Sequence, residues 1–480
     1  MTSIRHFPLR SPVLLALLAI PITVMLVSAY RRQPGSGVIT VQPDQQFQRI
    51  HGWEAVAQAS LRELEPFDNR QEVLDELFDK AVDFGLTRLR LGAASAIENT
   101  RDFGAEYRAG RISREEERCA RYSTVNDNGN PNVINPGGFI WTEFDNEVRG
   151  AVLPLARRLE ARGEHLWLNV QYTAFTNLLC RGYAYHHDDP AEYAEFVVAV
   201  YEHLRDVHGL VPDTWEVMLE PDNTTTWSPE RLANATAAAA ERLKAAGFTP
   251  SFVGPATTDA SRALRYFEPM WQRAALRPYL KELSYHRYSG ASRDAIAAIG
   301  DASRQRGVAS AMLEMIGAGV RELHEDLTLG NVSAWQQFAL SWPDRDTGAH
   351  YFILDPEQPA GMRAQLSATG WYLRQYFRAL RPDAVRIGAT SDDEAFEPVA
   401  AVNPGDRMAV VVRASRGGRL TFNGLAPGVY TTSCWTDRAQ WERNSDPCAG
   451  EVVADDSGVA VATMPDAGVF SLTRVAHVEP

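Results

Sequence analysis

Between residues 49 and 380 the chain alternates short apolar runs with amphipathic stretches about eight times, and few folds accept that pattern. The runs open at Arg49, Leu86, His165, Trp215, Ser251, Lys281, Val308 and Asn331. Helices are predicted over 68–84, 146–162, 190–208, 229–246, 259–275, 293–306, 318–329 and 361–380. In the first of these, Val73, Leu77 and Ala81 line up beside Leu74, Phe78 and Val82, and Gly85 stops the helix. Ser228-Pro229 supplies a good cap and first residue for another. No glycine fingerprint for a dinucleotide follows any strand, which removes the main open-sheet reading. The pattern therefore predicts an α/β fold, a (β/α)8 TIM barrel over 49–380.

The flanks read differently. After Pro382, short strands near 385–390, 399–403, 408–413, 419–422, 429–434, 459–463 and 469–474 alternate with Gly, Pro, Asn and Asp turns. That spacing predicts an appended all-β sandwich over 381–477, joined by an early strand at 37–48. Residues 1–36 stand apart. Arg5 and Arg10 precede an apolar run from Pro12 to Tyr30, and Val27-Ser-Ala29 offers small residues for a signal peptidase. The alternative is an uncleaved membrane anchor over 12–30. Either way the body is exported, secreted or periplasmic. Export makes the four cysteines interpretable: Cys434 with Cys448, and by remainder Cys119 with Cys180, read as disulfides, against the alternative of free buried thiols.

A formal charge of −13 and the lack of a basic cluster in the body argue against nucleic acid. No Cys/His spacing suits a structural zinc, and His186-His-Asp-Asp189 reads as a polar loop capping the helix at Pro190. No metal, cofactor or partner subunit is implied.

Chemistry in such barrels sits at the C-terminal ends of strands. Those positions hold Arg88, Gly92, Asn169, Gln171, Tyr172, Glu220, His286, Tyr288, Glu314, Trp335 and Gln336. Two of them, Glu220 and Glu314, end apolar strands, where a carboxylate is costly unless bonded or given a task. The rings and amides among the rest suit a carbohydrate, whose hydroxyls meet amides and whose C–H faces meet aromatic rings. The long polar stretch 93–143 and the loop 172–189 are placed to select the sugar.

These motifs resemble clan A of the glycoside hydrolases, most closely family thirty, over about residues 38–475. The resemblance implies a retaining enzyme on a barrel whose side domain draws on both chain ends. It implies Glu220, before Pro221, as acid/base on the fourth strand and Glu314 as nucleophile on the seventh. Arg88 corresponds to the second-strand arginine, His286-Arg-Tyr288 to the sixth-strand His-x-Tyr, and Trp335 to the eighth-strand tryptophan. His51-Gly-Trp-Glu54 resembles the first strand. Arg88 and Tyr288 would orient Glu314, and apolar packing would keep Glu220 protonated. Retention asks that the two carboxyl groups stand about 5 to 5.5 Å apart.

Two places depart from the family's pattern: the first strand has Trp53-Glu-Ala55 where family thirty favours more glycine, and the position before Glu220 bears on catalysis. Leu219 stands where an asparagine usually meets the sugar 2-hydroxyl. Asn223 or Asn169 could supply that contact, recognition could differ, or Glu220 could be no acid at all. The alternatives to a secreted β-glycosidase are thus a silent carbohydrate-binding protein and a transglycosylase.

Overall fold

A computed structural model of the protein describes residues 35–343, 346–438 and 446–475. The leader or anchor expected within 1–36 lies outside the described residues except for its last two. Among the described residues no helix is long and apolar enough to cross a membrane.

Strand β1 (Gly35–Arg49) is followed by eight strands that close on themselves. They are β2 (Gly52–Val56), β3 (Arg88–Ala94), β4 (Trp167–Thr173), β5 (Thr214–Glu216), β6 (Phe252–Asp259), β7 (Leu280–Ser289), β8 (Ala309–Glu314) and β9 (Val332–Pro343). Each pairs in parallel with the next, and β9 pairs back to β2, so the sheet has no free edge there. Helices separate the strands and pack their apolar faces on the outer side of the barrel. The helix Pro190–His208 shows why they start and stop where they do. Asp189 accepts a hydrogen bond from the Ala191 N–H, Pro190 takes the first position, and Gly209 closes the helix in the left-handed region at φ 68°.

The expected elements differ from the structure in three places. Strand β5 stops at Glu216 rather than Glu220, leaving Glu220 four residues beyond the ladder at φ 51°, ψ 58°. The stretch 93–143 holds helical turns at Phe103–Arg108 and Arg114–Ala120 and is tied by Cys119–Cys180, with Cα atoms 5.1 Å apart. After β9, strands β10 (His350–Leu354) and β11 (Ala364–Leu366) extend the barrel sheet, and the last helix begins only at Ala368.

The remaining strands are β12 (Val385–Ser391), β13 (Phe396–Asn403), β14 (Arg407–Ala414), β15 (Gly418–Asn423), β16 (Gly428–Thr436), β17 (Gly450–Ala454), β18 (Ala460–Met464) and β19 (Gly468–Arg474). With β1 they form one nearly closed, sandwich-like sheet in the order β17-β16-β19-β14-β13-β12-β1-β15-β18. Its interior has its own apolar core around Ile39, Val410, Leu420, Phe422, Phe470 and Leu472. Cys434 and Cys448 bridge β16 to the segment before β17, with Cα atoms 5.3 Å apart. Sheet and barrel are joined by buried polar contacts. Gln48 of β1 donates to the carbonyls of Leu327 and Val332 at 2.9 and 3.1 Å and accepts from Arg386 at 2.8 Å. Trp371 of the last helix stacks on Trp435 at 4.4 Å.

Several carboxyls outside the barrel lumen are held above their ordinary range. Burial, then Asp127, Glu98 and Glu192, push Glu195 up to about 8 against the pull of Arg242. Neither of its oxygens has a hydrogen-bond partner among the described residues. Burial raises Glu147 to about 7, although Arg121 and Arg62 oppose it. Both groups bind more protons folded than unfolded, so stability falls as pH climbs from the ordinary value of 4.5 through about 8. Thermal melts at a series of pH values should show Tm dropping by several degrees between pH 5 and about pH 8. Glu195→Gln should flatten that decline.

Candidate active site

Alternation along the strands decides which side chains enter the barrel. In β3, Arg88 and Arg90 face inward while Leu89 and Leu91 face the helices, and all four are fully buried. The lumen is consequently charged. At the lower level, Arg88 donates to Glu54 at 2.8 Å and to both oxygens of Glu282 at 2.7 and 3.0 Å, and His51 closes on Glu282 at 2.6 Å. One step nearer the C-terminal ends, Arg90 donates to Glu216 at 2.9 and 2.5 Å and to Glu314 Oε2 at 2.6 Å. Asn169 bridges the levels, 3.5 Å from Glu54 and 3.3 Å from Glu216. Apolar residues in this interior are few: Val253, Ala311, Leu313 and Ala334 form a small cluster.

Above Arg90 the two expected carboxylates face each other. Glu314 ends β8 and is held by Arg90 on one oxygen and by the Tyr288 hydroxyl on the other at 2.9 Å. Glu220 accepts from His286 Nδ1 at 3.0 Å and from Asn223 Nδ2 at 3.3 Å. Oxygens of Glu220 and Glu314 and a ring nitrogen of His286 all lie within 4.8 Å of one another. The His286 Nε2 lies 3.4 Å from the Arg90 guanidinium, which has no acceptor to offer, so Nδ1 is left to donate toward Glu220. Both carboxylates are 7% exposed, shielded but within reach of a ligand from the barrel mouth.

The titration of this site corrects one expectation. Burial pushes the Glu220 carboxyl up, but the His286 hydrogen bond and charge, then Asn223 and Arg90, outweigh it and hold the group below its ordinary range. Apolar packing does not keep it protonated, because a ring N–H and an amide point straight at its oxygens. Burial and the neighbouring Glu314 carboxylate push the Tyr288 hydroxyl well up, so it remains a donor.

Several sequence-predicted contacts fall elsewhere. Arg88 does not reach Glu314; Arg90 does, because it stands two residues nearer the C-terminal rim on the same face. Tyr172 points outward, wedged against Tyr193 and Phe196, with its hydroxyl on Tyr185 and His187. Trp335 also points outward, packing on Phe377 and donating to Asp326 at 2.9 Å. Its neighbour Gln336 is the inward residue, donating to the Leu313 carbonyl at 2.6 Å. Asn169 faces inward but is fully buried beneath Glu216, and Gln171, 5% exposed, donates to Thr173 at 2.7 Å. His286, Tyr288 and Asn223 do stand on the two glutamates. In the 186–189 loop, His187 ties Tyr172 to Glu98 and Asp189 caps its helix. Gln336 was among the strand-end candidates, whereas Arg90 and Glu216 were missed, although two-residue periodicity from Arg88 would have marked Arg90.

A cleft of about 900 Å³ opens at the opposite end of the barrel beside His51, Trp167, Asp213, Arg381 and Arg407. It contains neither glutamate, and strand N-termini are not where such barrels place chemistry.

The fold and site define a (β/α)8 barrel with a β side sheet and a facing glutamate pair at the C-terminal rim. No protein-family model matches the chain, and no curated protein does. Solved structures do. The chain is similar to a conserved exported protein from Bacteroides fragilis, at 14% identity and TM-score 0.65, over 91% of this chain and 100% of that one. It is also similar to the catalytic domain of a GH30 xylanase C from Talaromyces cellulolyticus, at 14% identity and TM-score 0.62 over 91% and 100% of the two chains. An endo-β1,6-glucanase matches at 15% identity and TM-score 0.60, over 91% of this chain and 94% of its own. The architecture is thus that of family-thirty glycoside hydrolase structures.

The lower charge level should act as a structural clamp. Arg88→Met would leave Glu54 and Glu282 buried without their cation, and urea unfolding should show a loss of about 3 to 5 kcal/mol.

Proposed function

We propose that the protein is an exported retaining β-glycoside hydrolase. The observation that carries this reading is the pairing of Glu220 and Glu314, whose oxygens approach within 4.8 Å across the barrel mouth. So close an approach of two oxygens suits the double-displacement geometry, with carboxyl groups about 5 to 5.5 Å apart, better than the wider inverting one. In this reading Glu314, aimed by Arg90 and Tyr288, attacks the anomeric carbon. Glu220 passes its proton to the departing glycosidic oxygen, then takes one from the water that opens the glycosyl ester. Asn223, on Glu220, is the amide best placed to meet a sugar hydroxyl in place of an asparagine at 219. Tyr288 and Trp342, 40% and 39% exposed at strand ends, offer rings for sugar faces. The fold likeness to a xylanase and a β1,6-glucanase makes β-linked xylan and glucan the first substrates to try. Two disulfides and the likeness to an exported protein support placement outside the cytoplasm.

The test is a panel of aryl β-glycosides, xylan and β-glucans with the stereochemistry of the first product read by NMR. Retention of the β-configuration is expected. Glu314→Gln should lower kcat by about 10⁴-fold or more, and Glu220→Gln by about 10² to 10⁴-fold. An inverted product would overturn the mechanism.

The depressed Glu220 carboxyl adds a pH signature. The acid form of Glu220 disappears as pH rises past its folded value, below 4.5, so kcat/KM should fall steadily from mildly acidic pH toward neutrality. Asn223→Ala, which removes one of the donors holding the group down, should move that basic limb to higher pH.

Leu219, with the His286 N–H aimed at Glu220, favours one competing reading, a carbohydrate-binding protein with no turnover. Equal inertness of wild type and Glu314→Gln across the panel, with glycan binding retained, would establish that reading instead.

A further inference from the structure

Away from the barrel mouth, three metal-ligating side chains converge on one point. Asp145 comes from the short helix Thr142–Glu147, at the end of the long stretch between β3 and β4. His203 and His208 come from the last two turns of the helix Pro190–His208. Asp145 Oδ1 stands 2.7 Å from Nε2 of each histidine, and the three atoms all lie within 4.8 Å of one another. The two rings aim at the same oxygen, not at one oxygen each. The other oxygen, Oδ2, faces Arg149 Nη1 at 3.5 Å.

We propose that Asp145, His203 and His208 form a binding site for a divalent transition metal of the zinc class, with a water in the fourth position. Two imidazoles and a carboxylate are the ligand types such an ion takes, and three protein ligands leave one position open. The side chains of His203, His208 and Asp145 are 12%, 4% and 15% exposed, shielded yet still open to solvent. The arrangement is not a by-product of helical spacing. Residues five apart do not share a helix face as residues four apart do. His208 is the last helical residue, before Gly209 turns the chain, and its ring reaches Asp145 from there.

The rings are also set in advance. Trp141 stacks on His203 with centroids 3.9 Å apart and planes 7° apart, and His208 meets His203 edge-on at 5.6 Å. Directly after the Asp145 helix comes a π-turn, Val148–Val152, a local geometry frequent beside functional sites. The C-terminal end of the Pro190–His208 helix adds partial negative charge, which favours a cation. The ion would pin the helix Thr142–Glu147, which follows the long polar stretch, to that helix. None of the three residues hydrogen-bonds the Glu220–Glu314 pair, so the role is structural and stands independently of the proposed hydrolysis.

A plain His–Asp–His hydrogen-bonded cluster makes the opposite prediction, no metal uptake. The full-length protein, stripped with a chelator and desalted, would be titrated with Zn²⁺ by calorimetry and with Co²⁺ by visible absorption. One ion per chain is expected, with the intense absorption of tetrahedral Co²⁺ and a higher Tm. His203→Gln and His208→Gln should each weaken Zn²⁺ binding by roughly 100-fold or more. Circular dichroism and metal-free melting would check that each variant folds, and Asp145→Asn, which keeps the side-chain shape, gives the same readout should the histidine variants fail to fold. The proposal is overturned if the wild type takes up no Zn²⁺ at micromolar concentration. It is equally overturned if the folded double histidine variant binds as the wild type does.

Discussion

Two arginines stacked on the inner face of one strand organise the centre of this protein. A charged group buried without partners is prohibitively costly, so each guanidinium must be met at every face it presents. Arg88 meets Glu54 and Glu282; Arg90 meets Glu216 and Glu314. Four carboxylates against two guanidiniums leave an excess of negative charge inside the barrel. It is distributed unevenly: burial, opposed by the arginines, raises Glu54, while Arg88 and His51 overcome burial and draw Glu282 down to about 2. The position of Glu314 follows from this network. It is the outermost member of an ion ladder whose lower rungs are sealed in the fold, so its aim is inherited from the barrel itself.

Glu220 is held by different means. Its backbone has left the sheet and sits in the left-handed region, a costly conformation for a residue with a Cβ. The turn Pro221–Asn223 that follows brings Asn223 back onto the carboxylate. One member of the pair is therefore fixed by a rigid strand and an arginine, the other by a turn and two nitrogen donors, His286 and Asn223. Environments that differ in this way push two like groups toward different tasks.

The sequence revealed the architecture more readily than the site. Parallel strands and amphipathic helices leave strong periodic marks, and the capping residues around Pro190 and Pro229 mark helix starts within a residue. The strand near 350–354 was hidden because it follows a loop and extends the sheet outside the repeating unit. Within the site, the pair Glu220 and Glu314 was visible as carboxylates ending apolar runs. Which residues surround them was not, because a strand-end motif does not say which of two adjacent residues turns inward. Trp335 against Gln336 was decided by that single step of phase, and Arg88 against Arg90 by one two-residue step along the same inward face. The downward pull on Glu220 was equally hidden, since it depends on His286 arriving from another strand.

The place of β1 bears on the order in which the chain can fold. This strand, near the start of the chain, lies between β12 and β15, which are made almost last. Its residue Gln48, near the barrel end of the strand, is satisfied by carbonyls some 280 residues away and by Arg386. The side sheet cannot close, nor this seam lock, until the C-terminal strands have been synthesised. Such sequence-distant pairing slows folding. The side sheet and its seam with the barrel therefore need both ends of the chain at once, whereas the strands of the barrel proper come from one continuous stretch between them.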